Sequence, residues 1–281
     1  MSEDRKTGTP KDSHYARLRR AHRARASEGG GGPSEIDEGL VRLYGLHTVR
    51  AALDNPARSI RRMWVTRNAA QRLKIADITA LPFPAELVEP KAIDSLTGAD
   101  AVHQGVLIEA EIRTPKTLSA LGKASLVLVL DQITDPHNVG AIMRSAVAFG
   151  VDALVTTARH SPAESGVLAK AASGALEHID HIEVRNLAES LEELHAAGFH
   201  TVGLDSDAPG PLEEALGTGR LALVLGAEGK GLRRKTRETV RALARLDMPG
   251  AIRSLNVSNA AAVALYIARQ ARRKTAVPGR R

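Results

Sequence analysis

The sequence predicts an α/β protein: a mostly parallel sheet with helices on both faces, preceded by a smaller α/β unit and a disordered basic arm. Three observations predict it. Short apolar runs alternate with helix-period stripes from residue 126 to 272. A shorter strand-and-helix pattern fills residues 40–112. The composition then breaks sharply over residues 1–38, which carry a basic cluster at Arg17–Arg25, a glycine run at Gly29–Gly32 and then Pro33. That segment holds too little apolar surface to offset the entropy of ordering. It reads as an RNA-gripping arm or a dispensable extension, with a short helix over Tyr15–Ala26 when bound.

In the small unit, Leu46, Val49 and Leu53 form a helical stripe. Ile60–Thr66, Ala85–Val88 and Gln104–Ala110 read as strands. Residues 113–125 read as a linker, with Pro115 and Gly122 as breakers. Beyond it, Leu126–Leu130 is a buried strand and Gly140–Gly150 a helix. Val151–Thr156 is a strand and Ser165–Leu176 an alanine-rich helix. His181–Val184 is a strand, Leu187–Gly198 a helix, and Thr201–Leu204 and Leu221–Leu225 are strands. Ser258 can cap a last helix with the stripe Ala261, Ala264, Leu265 and Ala268, and residues 273–281 form a basic tail.

The chain of 281 residues has no cysteine, which excludes disulfides, thiolate metal sites and cysteine nucleophiles. Aromatic residues make up 2%, which disfavours large base-stacking platforms. No apolar run approaches membrane-spanning length and the amino terminus lacks an apolar signal core, so a cytoplasmic protein with no membrane partner is expected. A net charge of +7 suits a polyanionic partner, most simply nucleic acid, or merely a basic surface. The histidines show no metal-ligand spacing, so no metal is required.

Three polar, glycine-containing segments interrupt the regular pattern. Asp131–Ala146 follows a buried strand and enters a helix, where ligand sites of parallel sheets fall. Within it, Asn138 can cap the helix, and Arg144 lies among apolar and small neighbours, which makes a phosphate- or ribose-directed role attractive. Leu225–Leu232 packs glycines 226, 229 and 231 behind another strand, as backbone approaching a ligand would require. It fits neither a Walker A loop nor a dinucleotide fingerprint. Glu228 there is either an exposed turn residue or a site group. Leu246–Asn259 brings Ser254, Asn256, Ser258 and Asn259, neutral hydrogen-bonding groups that a capped helix start only partly explains.

In this order, "DPHNVGAIMRSA", "LVLGAEGKGL" and "MPGAIRSLNVSNAAAVALY" resemble the SpoU/TrmH family of RNA ribose 2′-O-methyltransferases. "LYGLHTVRAAL" at 43–53 and "AVHQGVLIEA" at 101–110 look like the amino-terminal RNA-binding domain of its RlmB-like branch. The resemblance spans residues 40–272. It implies a SPOUT-type α/β trefoil-knot domain, S-adenosyl-L-methionine as cofactor, and a homodimer formed through the knotted domain. It further implies ribosomal RNA as partner, with a guanosine of the large-subunit RNA as target. Transfer RNA, or a non-catalytic assembly role on the same fold, are the alternatives. By motif, Gly226, Leu246 and Leu255 fall at cofactor-binding positions. Asn138, Arg144, Glu228, Ser254 and Asn256 fall at catalytic positions. Asp247 departs from the family pattern and puts side-chain detail beside the cofactor loop in question.

The implied chemistry is in-line attack of a ribose 2′-oxygen on a sulfonium methyl, which asks mainly for positioning and for removal of one proton. A guanidinium, with a pKa above about 12, is a poor base. Arg144 is therefore expected to hold a phosphate and stabilise alkoxide charge. Asn138 and Asn256 would orient the ribose and loops, Glu228 would tie its loop to Arg144 or substrate, and Ser254 would hydrogen-bond within the site. His137 reads as a loop residue rather than a base, and His103 as structural.

Overall fold

The computed structural model describes residues 37–276; most of the basic arm, the helix expected at Tyr15–Ala26 and residues 277–281 of the basic tail lie outside them. Among the described residues, no helix is long and apolar enough to cross a membrane.

The first sheet has four strands in the order β1-β4-β2-β3: β1 (Leu40–Tyr44), β2 (Ile60–Val65), β3 (Ala85–Leu87) and β4 (Val106–Glu111). Helices α1 (Leu46–Asp54), α2 (Arg67–Arg72) and α3 (Pro90–Thr97) connect them. The expected strand at Gln104 starts two residues later, because Gln104 and Gly105 both take positive φ in a turn. β1 was not expected; its Val41 and Leu43 are buried in register with Ala110 and Ile108 of β4.

The second sheet is parallel throughout, in the order β10-β8-β9-β5-β6-β7. Its strands are β5 (Leu126–Asp131), β6 (Ala153–Thr157), β7 (Asp180–Val184), β8 (Phe199–Leu204), β9 (Arg220–Gly226) and β10 (Ala242–Ala244). The helices are α4 (Pro136–Ala148), α5 (Gly166–Ala172), α6 (Leu187–Ala196), α7 (Leu212–Ala215), α8 (Arg234–Thr239) and α9 (Val257–Ala276).

Strand β5 shows why three layers form. All six of its residues are buried, so it needs cover on both faces. Leu126, Leu128 and Leu130 join one core with Ile142 of α4, Leu168 of α5 and Leu265 of α9. Val127 and Val129 join the other with Leu187, Leu191 and Leu194 of α6. The expected stripe Ala261, Ala264, Leu265 and Ala268 is wholly buried.

Three local expectations are corrected. Helix α4 begins at Pro136 rather than Gly140; Asp135 is its N-cap, accepting from the His137 N–H at 3.1 Å, and proline at the first position suits the start. Asn138 therefore does not cap it. The helix expected over 165–176 stops at Ala172, where Ser173 and Gly174 turn left-handed before a 3₁₀ turn at Ala175–Glu177. Asn256 rather than Ser258 caps α9, its Oδ1 accepting from the Ser258 N–H at 2.9 Å.

The two sheets are docked through α5. The Thr48 hydroxyl donates to the Ala169 carbonyl at 3.1 Å, and Gly166 lies so close to the Tyr44 ring and Arg42 carbonyl that a Cβ would overlap them. Arg58 is fully buried between Glu164, at 2.8 Å, and Glu177, whose carboxylates are almost as buried. The linker is pinned too: Lys116 pairs with Ile182 at the β7 edge, and Leu121 joins the second core. Arg58→Met leaves both carboxylates without their cation and is expected to cost about 3–5 kcal/mol in urea unfolding. A loss under about 1 kcal/mol would mean that water reaches the pair.

Candidate functional site

Connections leave β5 and β9 in opposite directions: β5 feeds α4 and β6, while β9 feeds α8 and β10 on the other side. Such a switch point opens a crevice at the carboxyl ends of the strands. Asp131 ends β5 in register with Gly226, which ends β9. Asp131 is buried and fixes the following loop by accepting from the Arg233 N–H at 3.0 Å and from Arg233 Nε at 2.6 Å.

The 226–232 loop folds back on itself. Gly231 N–H donates to the Ala227 carbonyl at 2.8 Å, and Gly229 and Gly231 take positive φ. A Cβ on Gly226 would overlap the backbone of Gly231 and Leu232. Only glycine fits there.

A cavity of about 290 Å³ opens beside this loop. Gly226, Leu246 and Leu255, the three expected cofactor positions, all line it, together with Ser254 and Glu228. Sequence reasoning missed Asp205, Ser206 and Met248, which line it as well. Leu204 ends β8, so the rule that sites follow strand ends was a signal for Asp205 and Ser206. The glycine backbone and apolar Leu225, Leu246 and Val257 form a cradle suited to an adenosyl group, with the Glu228 carboxylate and the Arg253 cation on its lining. The Asp205 carboxylate is taken up by Arg237 and the Asp207 N–H. Asp247 is exposed, turns away to Arg245 at 3.2 Å and does not line the cavity.

A second cavity, of about 430 Å³, adjoins the first. Both are walled by Ala227, Glu228 and Val257. The Asn256 amide stands at this wall. Its Nδ2 donates to Asn138 Oδ1 at 3.0 Å and to Glu228 Oε2 at 3.4 Å. Its Oδ1 accepts from the Ser258 N–H and hydroxyl, at 2.9 and 2.6 Å. One side chain thus joins all three segments singled out in the sequence. Glu228 is tied to Asn256, not to Arg144.

Arg144 stands apart. It is exposed, lines neither cavity and carries no hydrogen bond or ion pair among the described residues. Six residues at 3.6 per turn set it about 120° around α4 from Asn138. The apolar surroundings expected for it belong to Met143 and Ala146 instead. His137 lies in the first turn of α4, exposed. His103 bonds Asp94 and the Gly105 N–H within the first sheet's unit, a structural role. Among the described residues, no cluster of His, Asp and Glu fit to hold a metal ion is present.

Comparison with known proteins follows the same division. Residues 125–266 match the model of the SpoU rRNA methylase family, and residues 42–115 match that of RNA 2′-O ribose methyltransferase substrate binding. The 23S rRNA (guanosine-2′-O-)-methyltransferase RlmB of Ralstonia nicotianae is 38% identical over 85% of this chain and 98% of its own. The Pseudomonas putida protein of that name is 35% identical over 81% of this chain and 95% of its own. Among solved structures, the SpoU methyltransferase AviRb from Streptomyces viridochromogenes shares the fold, with a TM-score of 0.72 at 22% identity over 84% of this chain and 91% of that one. Its complex with AdoMet aligns with a TM-score of 0.71 at 21% identity, over 90% and 93%. The chain belongs to the SpoU rRNA methylase family.

Proposed function

We propose that this protein transfers a methyl group from S-adenosyl-L-methionine to the ribose 2′-hydroxyl of a guanosine in 23S ribosomal RNA. The observation that carries the reading is the Asn138–Asn256–Glu228 network at the wall shared by two cavities. A methyl donor in one and a ribose in the other would meet there. The relatives named above act on that RNA and that nucleoside.

Gly226, Leu246 and Leu255 would hold the cofactor, with the Glu228 carboxylate near its positive sulfonium. When bound, the cofactor supplies an electrophilic sulfonium methyl. The protein's own work is alignment and proton handling. Asn256 fixes Asn138 and Glu228 relative to each other, which leaves the second Glu228 oxygen to orient the 2′-hydroxyl and accept its hydrogen bond. Ser254 adds a hydroxyl on the cofactor side.

Arg144 acts, in this reading, from a second copy of the chain. Arg144 is exposed on α4, and on α9, which packs against α4, Val263 and Tyr266 are 41% and 54% exposed although apolar or aromatic. Pairing that face across a two-fold axis would bury it and carry Arg144 toward the partner's cavities, where it would hold a phosphate and stabilise alkoxide charge. We also read the carboxyl-terminal segment as threaded into a trefoil knot. Membership of the SpoU family is what supports it. A cytoplasmic location follows from the ribosomal substrate.

The test is methyl transfer from labelled S-adenosyl-L-methionine to 23S ribosomal RNA lacking the modification, with mapping of the product. One labelled guanosine is expected. Label on no ribosomal RNA would overturn the reading.

A further inference from the structure

The second cavity holds more uncommitted polar groups than alignment of a ribose needs. It is lined by Gln132, Thr134, Asp135, Asn138, His160 and Lys230, besides the shared wall. Asn138 is engaged by Asn256. The side chains of Gln132, Thr134, His160 and Lys230 have no hydrogen-bond or ion-pair partner among the described residues. Asp135 uses Oδ1 to cap α4 and leaves Oδ2 unused. Gln132 is also one of four non-glycine residues with positive φ among the described residues, at 61°, directly after the strand end at Asp131. Strained backbone of this kind persists where the surroundings hold a side chain in a required place.

The geometry points to a base-reading pocket for an unstacked guanine, with Asp135 and Gln132 as the residues that read it. The inference rests on the proposed ribose methylation and deepens it. A guanine presents two adjacent donors, N1–H and the 2-amino group, beside the O6 acceptor. A carboxylate takes the two donors together, and the Gln132 amide can donate to O6. Adenine offers an acceptor at N1, which would face the Asp135 carboxylate without a proton between them. Such a mismatch is a strong ground for rejection. Single-stranded RNA is read on these edges once its bases are splayed out. Among the described residues no Phe, Tyr or Trp lines the cavity, so hydrogen bonds and the His160 ring must do what stacking does elsewhere. Lys230 supplies a cation for a flanking phosphate.

Asp135→Asn separates this role from capping, because asparagine caps a helix as well as aspartate does. Gln132→Gly removes the amide while relieving the positive φ. The experiment measures kcat/KM on RNA fragments carrying guanosine, inosine or adenosine at the mapped position, with thermal melting of each variant alongside. The wild type is expected to prefer guanosine over adenosine by about 100-fold, with inosine between them. Asp135→Asn is expected to shrink that preference by about 10-fold or more at unchanged melting temperature, and Gln132→Gly to shrink it as well. Equal use of guanosine and adenosine by the wild type, or preferences unmoved in both variants, would overturn the pocket while leaving ribose methylation standing. No methylation of any fragment or of full-length ribosomal RNA would instead remove the reading on which the pocket rests.

Discussion

Gly226→Ala is expected to weaken S-adenosyl-L-methionine binding by at least about 100-fold. The added methyl would overlap the backbone of Gly231 and Leu232, which cannot move aside as a flexible side chain can. The 226–232 loop forms one wall of the proposed cofactor cavity and is held from behind by Arg233 on buried Asp131. Relief of the overlap therefore has to displace the cavity wall itself. Overpacking of this kind costs about 1–3 kcal/mol in stability, and a shift of about 1 Å in a positioning element costs about 100-fold in rate. Calorimetric titration of the folded variant with the cofactor checks the expectation. A dissociation constant within a few-fold of wild type would show that the loop does not bound the binding site.

Asn256→Ala is expected to lower methyl transfer by about 100- to 1,000-fold while leaving cofactor affinity within a few-fold, since Asn256 does not line the cofactor cavity. The loss has two parts, which Asn256→Asp separates. Alanine removes the cap of α9, worth about 1 kcal/mol, together with both donated hydrogen bonds. Aspartate keeps the cap, because its carboxylate still accepts from Ser258. It loses the amide that joins Asn138 to Glu228 and sets a second carboxylate beside Glu228. Aspartate should thus match alanine in lost turnover although it keeps the cap. Near-normal turnover in Asn256→Asp would reduce Asn256 to a helix cap.

Two of the three chemistry-bearing segments were legible because each follows a buried strand, β5 or β9, and breaks the apolar pattern with polar residues and glycine. The third was legible because it sets serine and asparagine ahead of an alanine-rich helix. The core was legible too: a run such as Leu126–Leu130 admits few readings, and the Ala261–Ala268 stripe repeats at helical spacing. Short elements were not. Strand β10 is three residues long with only Ala244 buried, and its place is set by pairing with β8 rather than by its own pattern. Both cap assignments erred by reading the residue nearest the apolar stripe. The Asp135-Pro136 pair was the better signal for α4, and at α9 the asparagine two residues upstream of Ser258 takes the cap. Arg144 shows a different limit. Sequence places it on a helix between buried neighbours, but only the packing of α4 on α5 and α9 decides that its side faces outward. Asp205 was missed because its loop lies outside the three segments singled out in the sequence; it reaches the cavity through the adjacency of β8 and β9, which are neighbours in space and not in any local pattern.

The most direct test of the central claim replaces the mapped guanosine in an RNA fragment by 2′-deoxyguanosine and measures methyl transfer against the unmodified fragment. With Asn138, Asn256 and Glu228 aligning a ribose hydroxyl, transfer to the deoxy fragment is expected to vanish while its binding persists. Undiminished transfer to it would place the methyl group on the base and contradict the account.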